Sequence, residues 1–420
     1  MGLQSMRVGG GKAYKQMVQK VLFVSNGHGE DLINSQAIQA FTQSRPEVEV
    51  SAMPIVGAGN AYRRLGVPII GPTSPMPSGG VFYMKPLFLV KDIWAGLIGL
   101  TWQQLRAVWA YSRSCDFILA TGDIVVAAIA HSTRRPYAVF LSAYSSYYEG
   151  RLRLGVILPH LLNSPRCLAV FTRDAFTARD LNQQGLTKAK FVGTPVMDRL
   201  TPTGKDLQLI SGTPAIALLP GSRLPEASNN LRLQLQLVRE IAGVMRPNPV
   251  QFRAALVSDL MAELEGIAAY EGWQHQAGKL TFTENVSGKQ ETVEVLCHSD
   301  GFADILHKCD LVIGMSGTAV EQAVGLGKPA ITIPGPGPAF TYRFAEAQVR
   351  LLGPSVQTIG TKPATPATLR EAADRIRQIL QDSAYLEACA KNGLERMGEA
   401  GASLKLSNFI CDYLRTKQPL

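Results

Sequence analysis

LVIGMSGTAVEQAVGLGKPAITIPGPGP, residues 311–338, is the stretch on which the reading of this 420-residue chain turns. Leu311-Val-Ile is short and apolar, which predicts a buried strand, and Gly314-Met-Ser-Gly-Thr318 reads as a tight turn. Ala319 to Leu326 then predicts a helix, and Ala330-Ile-Thr-Ile-Pro334 the next strand, which makes one βαβ unit. Ser316, Gly317 and Thr318 fall where the helix begins, so unpaired backbone N–H groups and the positive end of the helix dipole face the crevice. An anion suits that place. Glu321 and Gln322 follow within the first turn and a half, in reach of hydroxyl groups beside the anion. A sugar joined to a phosphate offers both.

A second turn has the same character. Ala215-Ile-Ala-Leu-Leu219 is an apolar strand that runs into Pro220-Gly-Ser-Arg223, ahead of a helix expected over Asn229 to Val244. Gly221 lets the backbone approach a ligand closely, Ser222 donates from hydroxyl and amide, and Arg223 pairs bidentately with phosphate oxygens. Two anion-binding turns in one α/β unit predict a diphosphate site. Tyr342 to Gln348 reads as a helix from which Glu346 or Gln348 reaches the same place. The polar stretch 201–214 predicts a linker between two α/β units, 1–200 and 215–385, with further helices over 386–420.

The first unit opens with Lys20-Val-Leu-Phe-Val-Ser25, a buried strand, and Asn26-Gly-His-Gly-Glu-Asp31, a turn into a helix near Leu32 to Ser44. No third glycine stands where the dinucleotide fingerprint needs one, so a nicotinamide cofactor is not expected. His28 and Asp31 lie at the carboxyl end of that strand, and Asp123 ends a later one, Asp116 to Thr121. Open α/β sheets bind ligands at this edge, and each of the three is a candidate base for a hydroxyl nucleophile. Asp31 could equally cap the helix at Leu32.

The net charge of +9 is lopsided: residues 1–200 hold 21 Lys and Arg against 11 Asp and Glu, while the rest is nearly balanced. Such an excess expects an anionic partner, here a membrane surface or an acidic substrate rather than nucleic acid. Trp94, Trp102 and Trp109 recur at helical spacing with Leu97, Ile98, Leu105 and Val108, bordered by Lys85, Lys91, Arg106 and Arg113. The uncharged run from Ile93 to Leu105 is shorter than the ~20 residues that span a bilayer. A helix lying in the membrane interface, or a groove for a lipid, fits tryptophan with basic flanks; packing on its own sheet is the plainer alternative. The six cysteines form no CxxC pair, which expects free thiols in a reducing cytoplasm, and no apolar leader is apparent.

With both turns placed, the chain resembles the lipid-A-disaccharide synthase family of glycosyltransferases. Leu219-Pro-Gly-Ser-Arg223 with Glu226 is similar to that family's LPGSRxxE turn, Ser316-Gly-Thr-Ala319 to the start of its SGTATLE motif, and Val192-Gly-Thr-Pro195 to its VGHP segment. Val56-Gly-Ala-Gly59 with Gly66 is similar to its glycine-rich second turn. The resemblance implies the α/β GT-B fold, two Rossmann-like domains facing a central cleft. It implies a UDP-sugar donor as co-substrate and transfer of a hexose or N-acetylhexosamine to a lipid-linked or amphiphilic acceptor at the membrane; no carboxylate pair of the DxD type stands at a strand end, so no metal or other cofactor is expected, and a homodimer is possible. Departures fall at the first turn, where only Asp31 of the family's AGExSGD remains, and at Gln322, which stands where the family has a ribose-binding Glu. The rivals are a UDP-sugar 2-epimerase, which shares the architecture, and a non-catalytic nucleotide-sugar-binding protein at the membrane.

Overall fold

The computed structural model describes residues 18–73, 97–148, 150–286, 288–337 and 340–417. Six parallel strands, β1 (Lys20–Ser25), β2 (Glu49–Pro54), β3 (Phe117–Thr121), β4 (Tyr137–Leu141), β5 (Cys167–Thr172) and β6 (Ala189–Phe191), form the first sheet in the order β2-β1-β3-β4-β5-β6. Runs such as KVLFVS and FILAT are apolar on both faces because helices cover both faces of the sheet. Those helices are α1 (His28–Ser44), α2 (Asn60–Arg64), α3 (Leu97–Ser112), α4 (Ile124–Ser132), α5 (Ile157–Asn163) and α6 (Ala175–Gln183).

The second sheet has eight strands: β7 (Ala215–Leu219), β8 (Gln251–Ala255), β9 (Gln274–Gln276), β10 (Lys279–Val286), β11 (Lys289–His298), β12 (Leu311–Gly314), β13 (Ala330–Thr332) and β14 (Val356–Thr358). Their order is β14-β13-β12-β7-β8-β11-β10-β9. Around them lie α7 (Glu226–Val244), α8 (Ser258–Ala262), α9 (Leu264–Glu271), α10 (Phe302–Lys308), α11 (Thr318–Gly325), α12 (Tyr342–Leu352), α13 (Pro366–Gln381) and α14 (Ser383–Met397). Strands β10 and β11 form one antiparallel hairpin, which β11 joins in parallel to β8.

Each sheet reverses direction at its first strand, between β1 and β3 in one and between β7 and β12 in the other. At such a switch point the loops leave in opposite directions and open a crevice. The strand ends singled out in the sequence lie at these two places.

The chain crosses between the units twice. Gly193 and Gly398, both at positive φ, pass each other so closely that a Cβ on Gly398 would lie 3.0 Å from Gly193 Cα. After the second crossing α15 (Ala402–Arg415) returns to the first unit, where Phe409 meets Phe117 and Phe171 edge-on. Asp198 holds its start: the carboxylate accepts from Gly401 N at 2.5 Å and Ser403 N at 2.7 Å. The stretch expected as a linker, 201–214, is held against the second unit. Asp304 accepts from Thr203, Gly204 and Lys205 amides, and Arg253 donates to Leu207 and Gln208 carbonyls.

Candidate functional site

On the first rim, Gly27 has the extended conformation of an N-cap, so α1 starts at His28 and not at Leu32. This shift moves Asp31 from the expected cap position to the first turn, facing inward and 2% exposed. There it ends a chain of side-chain hydrogen bonds whose direction is set when the carboxyl is ionised. Thr121 Oγ1 donates to Asn34 Oδ1 at 2.6 Å, and Asn34 Nδ2 donates to Tyr62 Oη at 3.1 Å. Ser25 gives its one proton to Asp31 Oδ1 at 2.6 Å, so across the 2.5 Å Ser25–Tyr62 contact the tyrosine must donate. Every donor in the chain thus points toward the Asp31 carboxyl. Burial pushes its pKa up to about 7; the Ser25 bond opposes the rise and neighbouring Glu30 adds to it.

His28 stands exposed at the same rim, its ring over Gly57, where a Cβ would lie 2.5 Å from the imidazole Cε1. That close approach, with φ of +86°, explains glycine at this turn. Asp123 caps α4 by accepting from Val125 N at 2.8 Å, so that helix begins at Ile124. The three base candidates therefore share an edge but not a role: one is exposed, one is buried beneath it and one is a helix cap.

On the second rim the turns at Pro220–Arg223 and Ser316–Thr318 touch. A Cβ on Gly221, at φ +105°, would lie 3.5 Å from Met315 O and 3.8 Å from Ser316 Cβ. Asn230 staples them, donating to Pro220 O at 2.9 Å and Met315 O at 3.2 Å. Ser222 and Arg223 are exposed, and α7 begins at Glu226, three residues earlier than expected. Gly317 caps α11, with Thr318 at its first position. Gln348 turns its Nε2 onto Ser316 O at 2.9 Å and Gly317 O at 3.3 Å, which fixes the turn from α12. Two oxygens here, Ser316 Oγ and Gln348 Oε1, are buried with no hydrogen-bond partner among the described residues.

The remaining two expected ligands of this rim face the other domain. Gln322 Nε2 donates to Val196 O at 2.7 Å, and Glu321 Oε2 pairs with Arg173 Nη2 at 3.0 Å. Burial works against the Arg173 charge, but Glu321 and Tyr148 outweigh it and hold the guanidinium above its ordinary value. Between the units lies a cleft of about 350 Å³, lined among others by Gln36, Arg199, Ser299, Phe302, Thr318 and Gln322. The sequence reading missed Arg173, Arg199 and Phe302. Only Arg173 carried a signal, as the polar residue that directly follows β5 at the ligand-binding edge.

Trp102 and Trp109 meet edge to face on α3, with centroids 5.8 Å apart. Trp109 donates to Ser132 Oγ at 2.8 Å, while Trp102 is 54% exposed. Leu97 and Ile98 open this helix; Trp94 lies outside the described residues. Val108 and Gln104 are buried, so only part of the expected tryptophan face is outward. No described helix is long and apolar enough to cross a membrane.

No family model matches the chain. It is 25% identical over 242 residues to lipid-A-disaccharide synthase of Geobacter sulfurreducens, a match that covers 53% of this chain and 57% of that protein. Among solved structures, the calicheamicin glycosyltransferase superposes with a TM-score of 0.60 at 14% identity, over 96% of this chain and all (100%) of the other. UDP-GlcNAc 2-epimerase from Methanocaldococcus jannaschii gives 0.52 at 12% identity, over 94% and 100% of the two chains. In its complex with UDP-GlcNAc and UDP it gives 0.50 at the same identity and coverage. Two sheets, the first parallel and the second parallel from β14 to β11, with paired switch points and together with these likenesses, make the chain a divergent relative of the proteins built on the two-domain GT-B fold.

Proposed function

We propose that the chain transfers a hexose or N-acetylhexosamine from a UDP-sugar to a lipid-linked or amphiphilic acceptor at a membrane surface. The observation that carries this is the pair of orphaned oxygens at the start of α11. Buried polar atoms are usually partnered, and of the ten without a partner among the described residues these two stand together at a helix start, where a ligand would satisfy both. Gln348 Nε2 faces two carbonyls, which fixes Oε1 as an acceptor, while Ser316 Oγ is free to donate. An acceptor suits a sugar hydroxyl and a donor suits a phosphate.

In this reading the diphosphate lies against Gly221, Ser222, Arg223 and the Ser316–Thr318 turn. Helix dipole, amides and guanidinium there stabilise the charge that develops on departing UDP. The nucleoside occupies the cleft between Thr318 and Phe302. Of the three base candidates His28 is the one exposed at the rim, and it takes the acceptor proton; Asp31 supports it from below, and Asp123 shapes the edge as a cap. The acceptor arrives over the first domain, where exposed Trp102, Val125, Val156 and Ile157 lie on or at the start of α3, α4 and α5. All three helices begin at the ligand-binding edge, so these apolar groups lie at the level of the cleft mouth.

A UDP-sugar 2-epimerase is the second reading, favoured by fold likenesses of similar size. The test is a melting-temperature screen with UDP, UDP-glucose, UDP-GlcNAc, GDP and NAD, followed by assays of UDP release with amphiphilic acceptors and of UDP-GlcNAc epimerisation. The proposal expects a rise with uridine nucleotides only, because a ligand of the native state stabilises it, and UDP release that needs the acceptor. Epimerisation without release would favour the second reading, and no shift with any uridine nucleotide would remove both.

A further inference from the structure

The two rims are joined by one line of polar contacts. Glu30 Oε1, in the first turn of α1, accepts from Ser142 Oγ at 2.9 Å. Ser142 O accepts from Arg173 Nη1 at 3.1 Å, and Arg173 Nη2 meets Glu321 Oε2 at 3.0 Å. Arg173 belongs to the first domain and Glu321 to the second, and their side chains are only 14% and 19% exposed. Beside them the units also meet through Arg350 on Tyr148 O at 3.1 Å and Tyr147 Oη on Glu395 at 2.9 Å. The pair is therefore a shielded, interdomain one and not a surface decoration.

Its place sets an electrostatic problem. Glu321 follows Thr318 by three residues on a helix, so about 5–6 Å separate their Cβ atoms. A bare carboxylate there would repel a diphosphate at the helix start, against the very dipole that attracts it.

We propose that Arg173 is a positioning residue for the donor turn: reaching from the first domain, it neutralises and fixes Glu321, so that the start of α11 is electropositive when the domains are closed. This rests on the donor-site reading and adds to it the way in which closure and anion binding are tied together. Opening the cleft separates Arg173 from Glu321 and restores the repulsion, which favours release of the diphosphate product.

The experiment compares R173Q, R173K, E321Q and the double variant R173Q/E321Q by calorimetric titration with UDP and with inorganic pyrophosphate. Small-angle scattering of the ligand-free proteins accompanies it. R173Q is expected to lose about tenfold in affinity for both probes, the effect of one uncompensated charge at this range. R173K, which keeps the charge, recovers most of it; E321Q binds more tightly than wild type; and the double variant returns close to wild type. A merely structural arginine would give a double variant as weak as R173Q. That result, or pyrophosphate affinity unchanged in R173Q, overturns the proposal. Scattering should show R173Q and E321Q more open than wild type. If wild type binds neither probe, the donor-site reading fails, and an unexpanded R173Q then overturns this inference as well.

Discussion

Replacing Asp31 with Asn should reverse its sign of effect with pH. The folded carboxyl holds its proton up to about pH 7, whereas an ordinary aspartate releases it near 3.8. Between those values the folded state binds more protons than the unfolded one, so stability falls as pH rises. The contribution is complete below about pH 4 and gone above about pH 7, and the whole displacement corresponds to about 4 kcal/mol. An amide in the same place cannot titrate and still accepts from Ser25. Urea unfolding at pH 5 and pH 8 should therefore show the difference between D31N and wild type swing by about 3 kcal/mol in favour of the variant at high pH. Parallel stability profiles would refute the reasoning and return Asp31 to the role of an ordinary polar group. A swing toward wild type at high pH would do so more forcefully, since it requires an ionised carboxylate stabilised by its neighbours.

Asp198→Ala should cost about 1–2 kcal/mol in thermal unfolding, the loss expected when a helix start gives up its capping acceptor, and should speed amide exchange at Gly401 and Ser403. An unchanged melting temperature would mean that water replaces the carboxylate at no cost. Trp102→Gln should leave the fold intact, because that ring is mostly exposed, and reduce pelleting with vesicles containing anionic lipid. Undiminished pelleting would take α3 out of any membrane contact.

The two turns at Pro220–Arg223 and Ser316–Thr318 were legible because each ends an apolar run of strand length with small residues in a row, a local signal that needs no partner. Asp31 was visible as an acid at a strand end, but its buried environment was not, since Ser25, Tyr62 and Thr121 come from three other elements. Gln104 shows the limit of periodicity: it lies on the inward side of α3 because its amide finds Ile55 O and Pro72 O, contacts that no spacing rule contains. The same holds for Arg173 and Glu321. Each is an ordinary charge in its own segment, and only the approach of two separately built domains gives them a joint meaning.

The return of α15 to the first domain also bears on how the protein is made. Gln19, beside β1, donates to Leu414 O across 395 residues of chain, and Phe409 fills a gap between Phe117 and Phe171. On a ribosome that works from the amino end, the first sheet appears early but waits for α15 until the whole second unit has been made. Through that interval its apolar flank, around Phe117 and Phe171, is open to solvent, a natural point of hold for a chaperone. The second sheet has its helices close in sequence and can finish first. The order of completion is then opposite to the order of synthesis, and α15 closes both the first sheet and the pairing of the two domains.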